Sequence, residues 1–165
     1  MRVVAIVLAA GSSSRLGRPK QSIVFQGETL LARAARLARE VADEAIVVTR
    51  ETNPDADEGI ASSIRAGVRA AGEARILILL CDQPLITAEH LRALLAVDAP
   101  IVATLYGGIA GVPAVFAPEL IPELLSLQGD RGARVVIERH KARMQGVACE
   151  AAAVDIDTEG DLLAL

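Results

Sequence analysis

Aromatic side chains are nearly missing from this chain: its 165 residues include two Phe, one Tyr and no Trp. That scarcity removes the stacking platforms by which single-strand binders hold bases and aromatic cages hold cations. A large excess of either charge is missing too, since 17 Lys and Arg stand against 21 Asp and Glu, for a net −4. Without a broad positive field no nucleic-acid partner is expected, and any phosphate must be held by local groups. No apolar run approaches the ~20 residues that span a bilayer. Met1-Arg2 and the apolar Val3 to Ala10 lead into Gly11 and Ser12-Ser13-Ser14-Arg15 with no leader-cleavage pattern, so a cytoplasmic protein with no membrane partner is expected. Cys81 and Cys149 stand too far apart for a zinc or redox pair, and buried thiols outside any disulfide are the expected role.

What is present is aliphatic. With 52% hydrophobic and 23% charged residues, the composition is that of a globular chain, and its length suits one domain over residues 1–165. Val3 to Leu8 is apolar at every position, as a strand covered on both faces reads. Leu30, Leu31, Ala34, Ala35, Leu37 and Ala38 recur at helical spacing before a second buried strand closing at Thr49. Ser62 to Ala71 is helical and Arg75 to Leu80 a third strand, after which Thr87 is placed to cap a helix whose buried stripe is Leu91, Leu94 and Leu95. This alternation predicts a three-layer α/β domain with a mostly parallel sheet. Ile101 to Tyr106, a turn from Gly107 to Gly111, and Val112 to Phe116 predict a short antiparallel excursion. Helices over Pro118 to Leu127 and Gly132 to His140, a late strand within Val147 to Ile156, and a helix over Thr158 to Leu165 complete the reading.

The stretch Leu8-Ala9-Ala10-Gly11-Ser12-Ser13-Ser14-Arg15-Leu16-Gly17-Arg18-Pro19-Lys20 leaves the carboxyl end of the first strand, where open α/β sheets place ligands. Gly11 lets the backbone approach a ligand, the amides and hydroxyls after it can donate to phosphate, and Arg15 and Lys20 add charge. Its spacing fits neither a Walker A loop nor G-x-G-x-x-G, so phosphate loop and ordinary surface loop both stay open. Asp82 follows the apolar third strand into Gln83-Pro84, where it either holds Mg²⁺ against a phosphate or caps a turn. In Val154-Asp155-Ile156-Asp157-Thr158 the two acids share one side of an extended segment; either completes a metal site with Asp82, or Asp157 caps the last helix. Asp130-Arg131-Gly132-Ala133-Arg134 reads as a helix start or as two cations reaching a substrate phosphate. His90 and His140, in helical segments without metal-ligand spacing, are expected to be structural or exposed.

The loop from Leu8 to Lys20, Gly59-Ile60-Ala61-Ser62-Ser63-Ile64-Arg65-Ala66-Gly67, Cys81-Asp82-Gln83-Pro84-Leu85, Gly111-Val112-Pro113, Gly129-Asp130-Arg131-Gly132-Ala133-Arg134 and Asp155-Ile156-Asp157-Thr158 form six motifs. In kind and order they resemble the molybdenum-cofactor nucleotidyltransferases, a MobA-like NTP transferase family, and within it the cytidylyltransferase branch. The resemblance implies a Rossmann-like nucleotidyltransferase fold of the nucleotide-diphospho-sugar transferase type. It implies transfer of CMP from CTP to the phosphate of molybdopterin, with release of pyrophosphate. Leu8, Ala9, Ala10, Gly11, Ser12 and Lys20 would hold the triphosphate, with Ser62, Ser63 and Gly67 near the base and ribose. Lys20, Arg15 and Asp82 would be catalytic, and Asp82 with Asp157, rather than Asp155, would bind Mg²⁺. Ala10 and Pro19 point to CTP, because the GTP-using branch has a second glycine and an acid at these places. A molybdoenzyme or its chaperone is the implied partner. Alternatives carried with this reading are another NTP, a sugar-phosphate acceptor, or a non-catalytic module that delivers cofactor. The chain departs from the family at Cys81, where a Gly is common, at Gln83, where a Met is common, and between Val48 and Gly59, where family members carry a further helix and strand.

Overall fold

β1 (Val3–Leu8) is buried from Val4 onward, which is why its sequence shows no polar face. The computed structural model describes residues 1–11, 20–156 and 159–163. After a short 3-10 turn at Lys20–Ser22, β2 (Val24–Phe25) and β3 (Glu28–Thr29) form a small antiparallel hairpin. The Thr29 hydroxyl then accepts from the Ala32 amide at 3.0 Å and starts α1 (Leu30–Val41). There follow β4 (Glu44–Val48), α2 (Ile60–Ala71), β5 (Arg75–Leu80), α3 (Ala88–Leu95), β6 (Ile101–Tyr106) and β7 (Ile109–Phe116). The chain continues through α4 (Ile121–Leu125), α5 (Ala133–Arg139), β8 (Met144–Ala148) and α6 (Glu159–Leu163). Among the described residues no helix is long and apolar enough to cross a membrane.

One sheet of six strands, in the order β4-β1-β5-β7-β6-β8, carries this fold, and β7 alone runs against its neighbours. The mostly parallel α/β sheet with one antiparallel excursion is therefore as the sequence predicts. Strand alternation divides the core into two layers. Val4 and Ile6 of β1, with Ile76 and Ile78 of β5, face α2, α4 and α5; Ala5, Val7, Leu77 and Leu79 face α1 and α3.

Three details differ from the periodicity reading. β4 lies at a sheet edge with only Val48 buried, so it is half covered where full burial was expected. The excursion turns at Gly107 and Gly108, both at positive φ, and β7 begins at Ile109. The late strand is Met144–Ala148; Glu150–Ala153 is a 3-10 turn and Val154 to Ile156 is outside the sheet, so Asp155 lies beyond the last strand. Between Val48 and Gly59 only turns and a 3-10 segment at Ala56–Glu58 occur, as the short connection predicts.

Gly67 explains how α2 lies so close to the sheet. A Cβ there would stand 2.5 Å from Ile6 Cγ2 and 3.3 Å from Val48 Cγ2, too near for either buried side chain to yield without repacking. We predict that Gly67→Ala destabilises the fold by about 1–3 kcal/mol, as overpacked cores do. In urea unfolding, pairing it with Ile6→Ala should cost less than the sum of the single changes; strict additivity would show that the contact is unimportant.

Candidate functional site

The carboxyl ends of β1 and β5 lie side by side, with Leu8 registered against Leu80. The chain leaves β1 through Ala9 and Ala10, 3% and 6% exposed, to reach an exposed Gly11. The Ala9 amide continues the ladder by donating to the Val48 carbonyl at 2.9 Å. Among the described residues none lies within 4 Å of where a Cβ at Gly11 would stand, so none of them asks for glycine here. Open backbone at a strand end is what a phosphate ligand needs. Ser12 and Arg15 lie outside the described residues, as does Asp157; Lys20 opens the 3-10 turn, and its side chain lies outside the description.

Next door, β5 delivers the half-buried Asp82. The Ile156 amide donates to the Asp82 carbonyl at 3.0 Å, which draws the segment carrying Asp155 alongside it. Both carboxylates act on the Tyr106 phenol: burial raises its pKa, Arg134 opposes that rise, and Asp155 and Asp82 add to it. The phenol therefore stays protonated at neutral pH and can donate a hydrogen bond. Two acids at the end of the strand next to β1 fit a divalent ion of the kind held by one or two carboxylates and substrate phosphates. Among the described residues no group of three His, Cys, Asp or Glu adds further ligands. Gln83 is 5% exposed, and its Nε2 donates to the Val112 and Ala152 carbonyls at 3.1 Å each, tying β5, β7 and the 150–153 turn together behind Asp82.

Gly111-Val112-Pro113 forms an irregularity in the β6–β7 ladder, because Ala103 pairs with Ala114 but Thr104 with Gly111. A proline fits there, where the ladder asks for no amide. The Thr104 hydroxyl donates to the Pro113 carbonyl at 2.6 Å and accepts from His90 Nε2 at 2.8 Å, which assigns the ring proton to Nε2. His90 is 7% exposed, and burial lowers its pKa, so it is a neutral structural histidine. Gly111 leaves room for an aromatic ring: a Cβ there would lie 2.8 Å from the Tyr106 hydroxyl oxygen.

A cleft of about 950 Å³ opens over this end of the sheet. Leu8, Ile78, Leu80 and Val112 lie along the strand ends, Ile60 and Ile64 of α2 form one wall, and Asp130 through Val135 with Glu138 and Arg139 form the other. Two of the sequence motifs meet across it. Gly59, at φ 129°, faces the Gly129 carbonyl and the Asp130 carboxylate so closely that a Cβ would stand 2.6 Å from Asp130 Oδ1. The Ala61 amide donates to the Gly129 carbonyl at 3.1 Å. Glu58 accepts from the Gly129 amide at 3.0 Å and from Arg65 at 2.5 and 3.0 Å, while Arg65 also donates to the Leu127 carbonyl at 2.6 Å. Arg65 and the Gly129 amide together hold the Glu58 carboxyl below its usual range.

Ser62 and Ser63, expected beside the nucleoside, are 3% and 4% exposed. Asn53 Nδ2 donates to both hydroxyls, at 2.9 and 3.0 Å, and Ser62 donates to the Gly59 carbonyl at 2.9 Å. These serines thus pin the short β4–α2 connection to the first turn of α2. Gly67 lies further along α2 against Ile6 and Val48, so packing accounts for that glycine. Sequence reasoning missed Asn53 and Tyr106; a buried polar residue in a short connection and the chain's lone Tyr were the available signals.

An open α/β sheet with a glycine and an acid at adjoining strand ends is an arrangement in which such sheets hold ligands. The chain belongs to the MobA-like NTP transferase domain family, whose model matches residues 5–144. It is 28% identical over 166 residues to the purine catabolism protein PucB of Bacillus subtilis, covering 82% of this chain and 80% of that protein. It is 29% identical over 179 residues to the molybdenum cofactor guanylyltransferase of Rhodobacter capsulatus, covering 98% and 88%. Rv0371c of Mycobacterium tuberculosis superposes with a TM-score of 0.85 at 26% identity, covering 99% of this chain and 97% of that one, and it has also been crystallised in complex with manganese.

The His90 contact sets a pH dependence. Its contribution to stability is complete above the unfolded value of about 6.5 and is lost as pH falls through the lower folded value, because the unfolded state takes up the proton first. In urea unfolding at pH 7 and pH 5, His90→Gln should lose less stability on acidification than the parent. An identical loss in both would contradict the assignment.

Proposed function

We propose that this MobA-like nucleotidyltransferase moves CMP from CTP to the terminal phosphate of molybdopterin, with Mg²⁺. The observation that carries this reading is the convergence of open backbone at Gly11 with Asp82 and the Asp155 segment at adjoining strand ends. An acceptor phosphate oxygen forms a bond to the α-phosphorus of the nucleotide while the bond to the β-phosphate oxygen breaks. Pyrophosphate leaves with that electron pair.

The chain's part is positioning and charge. Ala9 to Gly11 would offer backbone to the triphosphate, with Lys20 and Arg15 supplying positive charge. Asp82, with Asp157 or Asp155, would hold the metal. When bound, Mg²⁺ neutralises charge on the triphosphate and the leaving pyrophosphate. The manganese complex of Rv0371c supports a divalent ion in this fold. Cytidine is favoured by Ala10, whose methyl stands in packed surroundings where the guanosine-using branch has a second glycine. Guanosine is the second reading, supported by the guanylyltransferase name of the Rhodobacter relative. A molybdoenzyme or its chaperone would receive the product.

Pyrophosphate release tests this directly. With molybdenum cofactor and Mg²⁺, CTP should turn over faster than GTP, and Asp82→Ala should slow the reaction by about 100-fold or more. Faster turnover of GTP would reassign the base. No pyrophosphate from either nucleotide would sink the transferase reading.

A further inference from the structure

After β8 the chain has to come back across the sheet. β8 lies at one edge, and the segment carrying Asp155 ends beside Asp82 of β5, with β6 and β7 in between. That crossing spans three strand spacings, roughly 14 Å, and from Glu150 to Ile156 it lies outside the sheet. Its start is fastened to β6, where the Cys149 amide donates to the Leu105 carbonyl at 2.9 Å, and to the β6–β7 turn, where Glu150 accepts from the Gly107 amide at 3.1 Å. Its end is fastened to β5 by the Ile156 amide, 3.0 Å from the Asp82 carbonyl, and the fully buried Ile156 side chain packs with Ile23 and Leu30. Gln83 clamps the middle, because its one NH₂ group donates to Ala152 of the crossing and to Val112 of β7. The Val112 carbonyl is open to it because the pairing of β5 with β7 ends at Ile78 and Ala114. Gln83 Oε1, by contrast, is buried and meets no donor among the described residues. A buried acceptor left so is destabilising, and stability alone would favour an apolar side chain at this place. What the amide supplies is position.

We infer that Gln83 is a positioning residue for the divalent ion: by clamping the crossing at Ala152 it sets how closely the Asp155 segment approaches Asp82, with the Ile156 side chain as a second anchor. The inference rests on the metal of the proposed transfer, which Asp82 and an acid of this segment would share. Gln83 acts on that metal through Ala152 and is not one of its ligands.

Mn²⁺ binding to the full chain without nucleotide, followed by the loss of the free ion's electron paramagnetic resonance signal, tests this. The parent should bind Mn²⁺, and Asp82→Ala should abolish binding. Gln83→Met, which keeps the length of the side chain and removes both donated bonds, should weaken Mn²⁺ by about tenfold, as losses of supporting hydrogen bonds around metal ligands do. Ile156→Ala loosens the same segment without touching Gln83; it should weaken Mn²⁺ as well, and it decides the matter if Gln83→Met fails to fold. In the double variant the loss should be smaller than the product of the two separate factors. Leu124→Val, a core change in α4 away from the crossing, should lower the Tm and leave Mn²⁺ affinity as in the parent. Unchanged affinity in Gln83→Met or in Ile156→Ala, or an equal weakening by Leu124→Val, would overturn the positioning role and leave the metal site standing. A parent that binds no Mn²⁺, or binding that survives Asp82→Ala, would remove the metal reading and this inference with it.

Discussion

The site depends on one close approach of backbone to backbone. At Gly59 the chain passes so near the Gly129 carbonyl and the Asp130 side chain that no Cβ fits, and it does so at φ 129°, a conformation that favours glycine. The Glu58–Arg65 pair strengthens the junction, but an ion pair open to solvent contributes little on its own. Strain and overlap from any side chain at Gly59 would cost about 1–3 kcal/mol or more, so the missing Cβ outweighs the charge pair. What the ions add is direction: Glu58 and Arg65 bind the Gly129 amide and the Leu127 carbonyl, and so fix where the second loop turns. With that turn set, α5 stands opposite the start of α2 and the cleft exists between them.

The rest of the site is framed by cross-links among residues that carry no proposed catalytic role. Gln83 joins three segments behind Asp82, and the His90–Thr104–Pro113 chain holds the irregular stretch that presents Val112. Both are buried polar arrangements, stabilising only while their partners remain in place. The acids and the open glycine backbone thus stand on a rigid frame, as charge stabilisation in a transfer reaction requires.

The central strands were legible because β1 and β5 are buried on both faces and leave an unbroken apolar run. Edge strands leave no such mark. β8 reads Met144-Gln145-Gly146-Val147-Ala148, mostly outside the core, and its Gly146 is required only because Leu105 lies over it. The acids and the loop glycine could be found from their place after apolar strands. The direction of a hydroxyl could not: Ser62 and Ser63 have the composition of a ligand-binding turn, yet they face Asn53, whose position depends on how the short connection folds back. Gly67 and Gly11 look alike in sequence, but one is a packing requirement and the other meets none of the described residues. Tyr106 was hidden for the same reason, because its place in the cleft follows from a glycine on the neighbouring strand.

The proposed transfer places the triphosphate at Gly11 and its metal at Asp82. A crystal structure with Mg²⁺ and a CTP analogue that cannot be cleaved between the α- and β-phosphates tests it most directly. The proposal predicts the triphosphate against Ala9 to Gly11 and the metal on Asp82. A triphosphate seated away from Ala9 to Gly11, or a metal bound without Asp82, would contradict it.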